Sequence, residues 1–409
     1  MVYTPVPDEV LQELLQPSNS KIVLLVMDGL GGMPLGPAGP TELEYAHTVN
    51  MDTLAADGVL GLHVPLAPGL APGSGPAHLA LFGYDAFRYR IGRGALAAAG
   101  VGLDLQPGDV VARGNFATLD EAGRILDRRA GRIPTKEAAP LVEKLARIRI
   151  SGVQIDVRPV RDYRFVLRLR GEGLSHKLKD TDPQRVGVPP FPVEPAEPTP
   201  EAQRTAEILN RWIEEARKVL AGHPKANGVL LRGFATDPQL PKFGERYGLR
   251  AAAVAEYPMY RGVARLVGMD VLDLVDTTPE GLFQTVAQHW QTYDFFFVHF
   301  KETDSRGEDG DFFAKAQAIE KVDWALPILM DLKPDVVVIT GDHSTPSRWR
   351  AHSWHPVPVL LWAPDSVRTD DQYRFGENAC QHGGLGTFPA VHLMPLILAH
   401  AGRLKKYGA

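Results

Sequence analysis

The chain is 409 residues long, 44% hydrophobic and 23% charged, with a formal net charge of −5. That length exceeds the usual size of one hydrophobic core, so two domains are expected. The mild acidity leaves no cationic footprint for nucleic acid, and the single cysteine, Cys380, excludes an internal disulfide or a cysteine-rich metal motif and suits a reducing, cytoplasmic compartment.

In chain order, the N-terminal MVYTPVPDEVLQELLQPSNSK lacks basic and apolar signal regions, and residues 8–16 within it space their apolar side chains as a short helix. KIVLLVMDG (21–29) is a continuous apolar run of the kind that forms a strand covered on both faces, and it ends in Asp28. Gly and Pro mark irregular backbone through DGLGGMPLGPAGPTELEYAHTVN, after which NMDTLAADG reads as a helix capped by Asn50 and stopped at Gly58. LAPGLAPGSGPAHLALFGYD presents Ser74 between Gly73 and Gly75, on a sharp turn before a helix whose first amides favour an anion.

Near residue 103 the character changes. VVARGNFATLDEAGRILDRRAGRI and the strands at 153–170 are hairpin-like, arginine-rich and alternating in polarity. The stiff, Pro-rich connector VGVPPFPVEPAEPTPEAQ (186–203) leads into the amphipathic helix TAEILNRWIEEARKVLAG, and NGVLLRGFA reads as a strand. Strand and helix then alternate to the end. Two more apolar strands run into metal-binding side chains: YDFFFVHFKETD (293–304) delivers Asp304, and DVVVITGDHS (335–344) delivers Asp342 and His343. No run is apolar for long enough to span a bilayer, so no membrane is expected.

Capping or turn formation accounts for any one of these aspartates, but not for three strands aiming hard ligands at the crevice beyond their carboxyl ends. The expected fold is therefore α/β, a doubly wound mixed-sheet core built from 1–102 and 248–409, with a smaller α+β domain inserted over 103–247. Asp28, Asp342 and His343 would hold one divalent ion, and Asp304, Glu308 and His352 another. A cation at Ser74 would lower the pKa of its hydroxyl and make it a nucleophile.

PGSGPAHLALFGYD with GRGALAAAGVG, RGNFATLD with DRRAGRI, LSHKLKDTDP, and TGDHSTP followed by HSWHPVPVLL resemble, in order over nearly the whole chain, the archaeal-type, 2,3-bisphosphoglycerate-independent phosphoglycerate mutases of the alkaline phosphatase superfamily. The resemblance implies an alkaline-phosphatase-like core, a phosphoserine route between 3- and 2-phosphoglycerate, two divalent ions and no bisphosphoglycerate. It places Asp28, Ser74, Asp342 and His343 at the ion that binds the nucleophile, and Asp304 and His352 at the other. The family usually has histidine four residues after this aspartate, where Glu308 stands here. Either Glu308 is a ligand or His355, where the family tends to have Asp or Asn, compensates. A glutamate ligand favours Mn²⁺ or Mg²⁺, with Zn²⁺ still compatible.

Arginine binds phosphate and carboxylate with a planar fork, which makes Arg113, Arg128, Arg129, Arg132 and Arg232 the candidates for phosphoglycerate recognition. Arg261 falls where related mutases place a cation between phosphoserine and substrate. Asp180 and Asp182 in DTDP are candidates for the glycerate hydroxyls, while His382 and Cys380 read as structural. Closure of the inserted domain over the core would keep water from the phosphoserine. The same core residues would serve a metal-dependent phosphomonoesterase or a mutase of another small phosphorylated metabolite; a catalytically silent binding protein is the alternative from a different class.

Overall fold

The computed structural model describes residues 6–408. Its strands are β1 (Ile22–Met27), β2 (Val59–Val64), β3 (Val110–Leu119), β4 (Ile125–Asp127), β5 (Gln154–Pro159), β6 (Arg164–Arg170), β7 (Gly228–Ala235), β8 (Ala251–Ala255), β9 (Asp270–Val271), β10 (Phe295–Phe300), β11 (Val336–Thr340), β12 (Val357–Trp362) and β13 (Gly386–Pro389). The chain divides into two compact units, one running to Tyr89 and resuming at Pro241, the other spanning Arg90–Leu240.

The first unit is the expected α/β core. Its eight-stranded mixed sheet has the order β13-β2-β12-β11-β1-β10-β8-β9. β1 lies at the centre, parallel to β10 on one side and β11 on the other. All six of its residues are buried, because successive side chains serve opposite helical layers. Val23, Leu25 and Met27 share a core with Leu282, Ile319, Val322 and Leu326 from the helices Pro279–His289 and Phe312–Met330. On the opposite layer Phe297 meets Phe82, and Phe295 meets Phe243, each with ring centroids 4.9 Å apart.

The register fixes where the ligands emerge. Met27 is level with Phe300, and Val26 with Thr340. One step past Met27 brings Asp28 level with Lys301, and two steps past Val26 bring it level with Asp342. The three predicted ligand-bearing strands are thus adjacent, and the chemistry begins at one height on all three.

The second unit has its own antiparallel sheet, ordered β4-β3-β6-β5 with β7 on the other side of β3. One face is covered by the helices Thr135–Ala146 and Pro200–Leu220, around Phe116, Phe165 and Trp212. The longer helix starts where Thr199 Oγ1 accepts from the Ala202 amide at 3.2 Å with Pro200 in its first turn. Ala202, Ala206, Leu209, Ile213, Ala216 and Leu220 then form its buried stripe. Trp212 is fully buried, and Trp212→Ala is expected to destabilise this unit by about 3–5 kcal/mol, measured by chemical denaturation.

Two details differ from the sequence reading. The second unit spans 90–240 rather than 103–247, because the helix Arg93–Gly100 buries Ala95 and Ala98 against Val111, Val166 and Ala235, while Phe243 packs in the first unit's core. Asn50 is not a cap. It sits in the first turn of Val49–Ala56, and its side-chain amide donates to the Asp323 carbonyl at 3.0 Å. No helix among the described residues is long and apolar enough to cross a membrane.

Candidate metal centre and nucleophile

Ser74 opens the helix Ser74–Leu81, and its Oγ lies 3.2 Å from His343 Nε2. The same imidazole nitrogen is 3.4 Å from Asp28 Oδ1 and 3.3 Å from Asp342 Oδ2. Asp28, Asp342 and His343 are all fully buried, and their ligand atoms lie within 4.8 Å of one another. A second triplet, Asp304, His343 and His352, meets the same measure. The two share His343, so the pair of candidate sites is contiguous.

Hydrogen bonds set the tautomers. His343 Nδ1 donates to Thr345 Oγ1 at 3.0 Å, and that hydroxyl donates to Asp304 Oδ1 at 2.7 Å, which leaves the Nε2 lone pair of His343 facing Asp28 and Asp342. His352 Nδ1 donates to the Pro72 carbonyl at 2.9 Å, freeing Nε2 to face Asp304 at 3.6 Å. Glycine is needed where the loops meet. Gly29 has φ +61°, and a Cβ there would stand 2.6 Å from Thr345 Oγ1.

Electrostatics agree with a cation site. Burial raises the pKa of Asp28, but contact with His299 and the Lys301 charge outweigh it and hold the carboxyl well below its usual range. Asp342 is also lowered: burial and the charge of Asp28 push it up, and His343 and His78 more than offset them. Lys301 bridges the two halves, 3.0 Å from Asp28 Oδ2 and in direct contact with Asp304; despite burial, these carboxylates raise its pKa. Burial, then the charge of Asp28, keep the Tyr260 hydroxyl protonated, and it donates to Asp28.

Two buried carboxylate oxygens remain without a hydrogen bond among the described residues, Asp28 Oδ1 and Asp342 Oδ2. The imidazole nitrogens of His78 and His343 stand 3.3–3.4 Å from them. Such oxygens are costly unless a cation takes them up, and a set of carboxylates, imidazoles and a hydroxyl fits a divalent ion. The residues present therefore fit the ion that the sequence implies.

Glu308 stands at the edge of the second triplet. Its Oε1 is 3.8 Å from His352 Nε2, its side chain is half exposed, and burial followed by the charge of Asp304 raises its pKa. His355 lies outside both triplets, with Nδ1 bonded to Ser353 Oγ at 3.0 Å and its ring stacked on Trp354. Arg261 directly follows Tyr260 on the helix Pro258–Leu266 and is half-buried.

The other candidates lie in the second unit. Arg113 on β3 and Arg232 on β7 are register partners, each half-buried with an Nε that has no hydrogen-bond partner among the described residues. Arg128 grips Asp182 with two bonds of 2.8 Å, and Arg232 Nη1 is 3.7 Å from the same carboxylate. Asp182 is thus placed to hold arginines rather than a hydroxyl ligand. Asp180 Oδ1 accepts from the Gly233 amide at 2.7 Å, and Arg129 and Arg132 are exposed.

Sequence reasoning passed over His78, Tyr260, His299, Lys301 and Thr345. His78 Nδ1 donates to the Ser74 carbonyl at 2.8 Å and lies 3.3 Å from Asp342 Oδ2, whose charge raises the imidazole pKa against the effect of burial. His299 stacks on Tyr260 with centroids 3.6 Å apart. The available signal was polar residues inside apolar runs, in PAHLALFG and FFFVHFK.

A family model described as 2,3-bisphosphoglycerate-independent phosphoglycerate mutase matches residues 55–226. A Thermus thermophilus protein named a probable 2,3-bisphosphoglycerate-independent phosphoglycerate mutase is 52% identical over 404 residues, 98% of this chain and 99% of its own length. One of the same name from Aquifex aeolicus is 47% identical over 98% of this chain and all of its own. Among solved structures, a Pyrococcus horikoshii protein is 34% identical with a TM-score of 0.81, covering 95% of this chain and 99% of that one. The cofactor-independent phosphoglycerate mutase of Thermoplasma acidophilum is 31% identical with a TM-score of 0.73, covering 94% and 100%.

Proposed function

The chain belongs to the 2,3-bisphosphoglycerate-independent phosphoglycerate mutase family, and from that premise we propose that it is an isomerase carrying a phosphoryl group between the 3- and 2-hydroxyls of glycerate through Ser74. The observation that carries this reading is the 3.2 Å approach of Ser74 Oγ to His343 Nε2, beside two buried carboxylate oxygens that have no hydrogen bond among the described residues. We assign Asp28, Ser74, Asp342 and His343 to one divalent ion, and Asp304 and His352 to a second with Glu308 at its rim. Oxygen-rich donors favour Mn²⁺ or Mg²⁺. Such ions, when bound, lower the pKa of the serine hydroxyl and neutralise phosphoryl oxygens.

In the first half-reaction Ser74 Oγ attacks the phosphorus of 3-phosphoglycerate, the bond to the glycerate C3 oxygen breaks, and the serine proton ends on that oxygen. In the second, the 2-hydroxyl attacks phosphoserine, the Oγ–P bond breaks, and the proton returns to Ser74. No bisphosphoglycerate is needed. The first amides of the helix Ser74–Leu81 favour the phosphoryl charge. Lys301, held between Asp28 and Asp304, pairs with both carboxylates and orients them. Arg113, Arg128 and Arg232, organised in part by Asp182, are assigned to the carboxylate and phosphate of the substrate, with Arg261 near the phosphoryl group. We place this reaction in cytoplasmic glycolysis and gluconeogenesis.

Incubation with 3-phosphoglycerate and Mn²⁺ is expected to yield 2-phosphoglycerate in an enolase-coupled assay, with little free phosphate and no stimulation by 2,3-bisphosphoglycerate. Free phosphate as the main product would make the enzyme a phosphomonoesterase instead.

A further inference from the structure

Lys315 carries a fully buried ammonium in the helix Phe312–Met330, on a residue that the mechanism above does not use. Its Nζ donates to three backbone carbonyls, Gly29 at 2.8 Å, Gly31 at 3.0 Å and Thr345 at 2.8 Å. Only the charged amine has three protons to give. Gly29 and Gly31 lie on the loop that follows Asp28, and Thr345 on the loop that follows Asp342 and His343. The Thr345 amide donates back to the Gly31 carbonyl at 2.9 Å, and its hydroxyl joins His343 to Asp304.

We propose that Lys315 is a positioning residue for the metal centre, a tethered cation that fastens the two ligand-bearing loops to each other before any ion binds. This rests on the two-ion reading of the site. A buried ammonium is costly to desolvate unless its donors are met and opposite charge is near. The three carbonyls meet the donors; burial lowers the pKa of the amine, and the nearby charges of Glu42 and Glu377 oppose that effect. The three carbonyls, in turn, would lack a common donor without it. Lys315 therefore sets the spacing between Asp28 and the Asp342–His343 pair, which sets ion affinity and the place of Ser74. It touches neither substrate nor ion.

Lys315→Met keeps the aliphatic stem and removes the donors. Calorimetric titration of the metal-stripped variant with Mn²⁺ is expected to show affinity lowered about 10- to 100-fold, the range seen when groups that orient ligands are removed. At saturating Mn²⁺, kcat is expected to fall while KM for 3-phosphoglycerate stays within about threefold, the split that marks a misplaced reacting group. A variant that melts earlier yet keeps wild-type Mn²⁺ affinity and kcat would overturn the proposal, because a merely structural lysine behaves that way. Should the variant not fold, hydrogen exchange on the metal-stripped wild-type protein tests the same point. Protection of the Thr345 amide before Mn²⁺ is added is expected, and exchange at open-loop rates until the ion arrives would overturn it. Tight Mn²⁺ binding by a wild-type protein that converts no phosphoglycerate would remove the mutase reading and leave the role of Lys315 standing.

Discussion

Ser74→Ala is expected to lower mutase turnover by about 10⁴-fold or more, the scale on which covalent enzymes depend on their nucleophile. That is about 5.4 kcal/mol of transition-state stabilisation. The substitution removes one oxygen from a buried position at the start of a helix, where alanine is well tolerated, so folding is not the cause of the loss. The carboxylates and imidazoles of both triplets remain, and Mn²⁺ should still bind by calorimetry. Acid quenching of the wild-type enzyme with labelled 3-phosphoglycerate should leave phosphate on the peptide containing Ser74, and none in the variant. Unchanged turnover in Ser74→Ala would rule out the phosphoserine route.

Asp342→Asn is expected to abolish most of the stabilisation that Mn²⁺ confers. Asparagine has the same shape, but it replaces an anionic oxygen that has no hydrogen-bond partner among the described residues with a neutral amide. With Mn²⁺ at 1,000 times the wild-type Kd, linkage adds about 4.1 kcal/mol to the native state; a hundredfold weaker site at the same concentration adds about 1.4. The comparison is a pair of thermal melts, with and without metal, for each protein. An Asp342→Asn protein whose melting point rises with Mn²⁺ as much as wild type would show that the ion is held elsewhere.

The core of this fold was legible because its strands are long, uniformly apolar and end in the residues that matter. β1, β10 and β11 each announce themselves, and adjacency follows once they are read as parallel neighbours. What sequence could not supply is burial decided by tertiary packing. Lys315, in AKAQAIEKVDW, has the look of a solvated helix charge until two loops fold over it. Tyr260 and His299 touch Asp28 from a helix and a strand that nothing local connects. The start of the second unit was missed for a similar reason, since the alanine-rich helix Arg93–Gly100 has no feature that says which sheet it covers. Arginine-rich composition pointed to a group, whereas the pairing of β3 with β7 separates Arg113 and Arg232 from the exposed Arg129 and Arg132.

Because Asp28, Lys301 and Asp342 leave three neighbouring strands at one height, the enzyme's tolerance of length change has a parity. Deleting a single residue inside β1 or β11 would turn every later side chain of that strand to the opposite layer; in β1 this would move Asp28 from the face of Phe295 and Phe297 into the layer of Leu282, Ile319 and Leu326. Removing two restores the facing and shortens the reach by one pleat. Viable natural or engineered length variants of this protein should therefore gather in the loops that precede these strands, at the end of the sheet away from the ligands, and within the second unit, with odd-numbered changes purged from the central three.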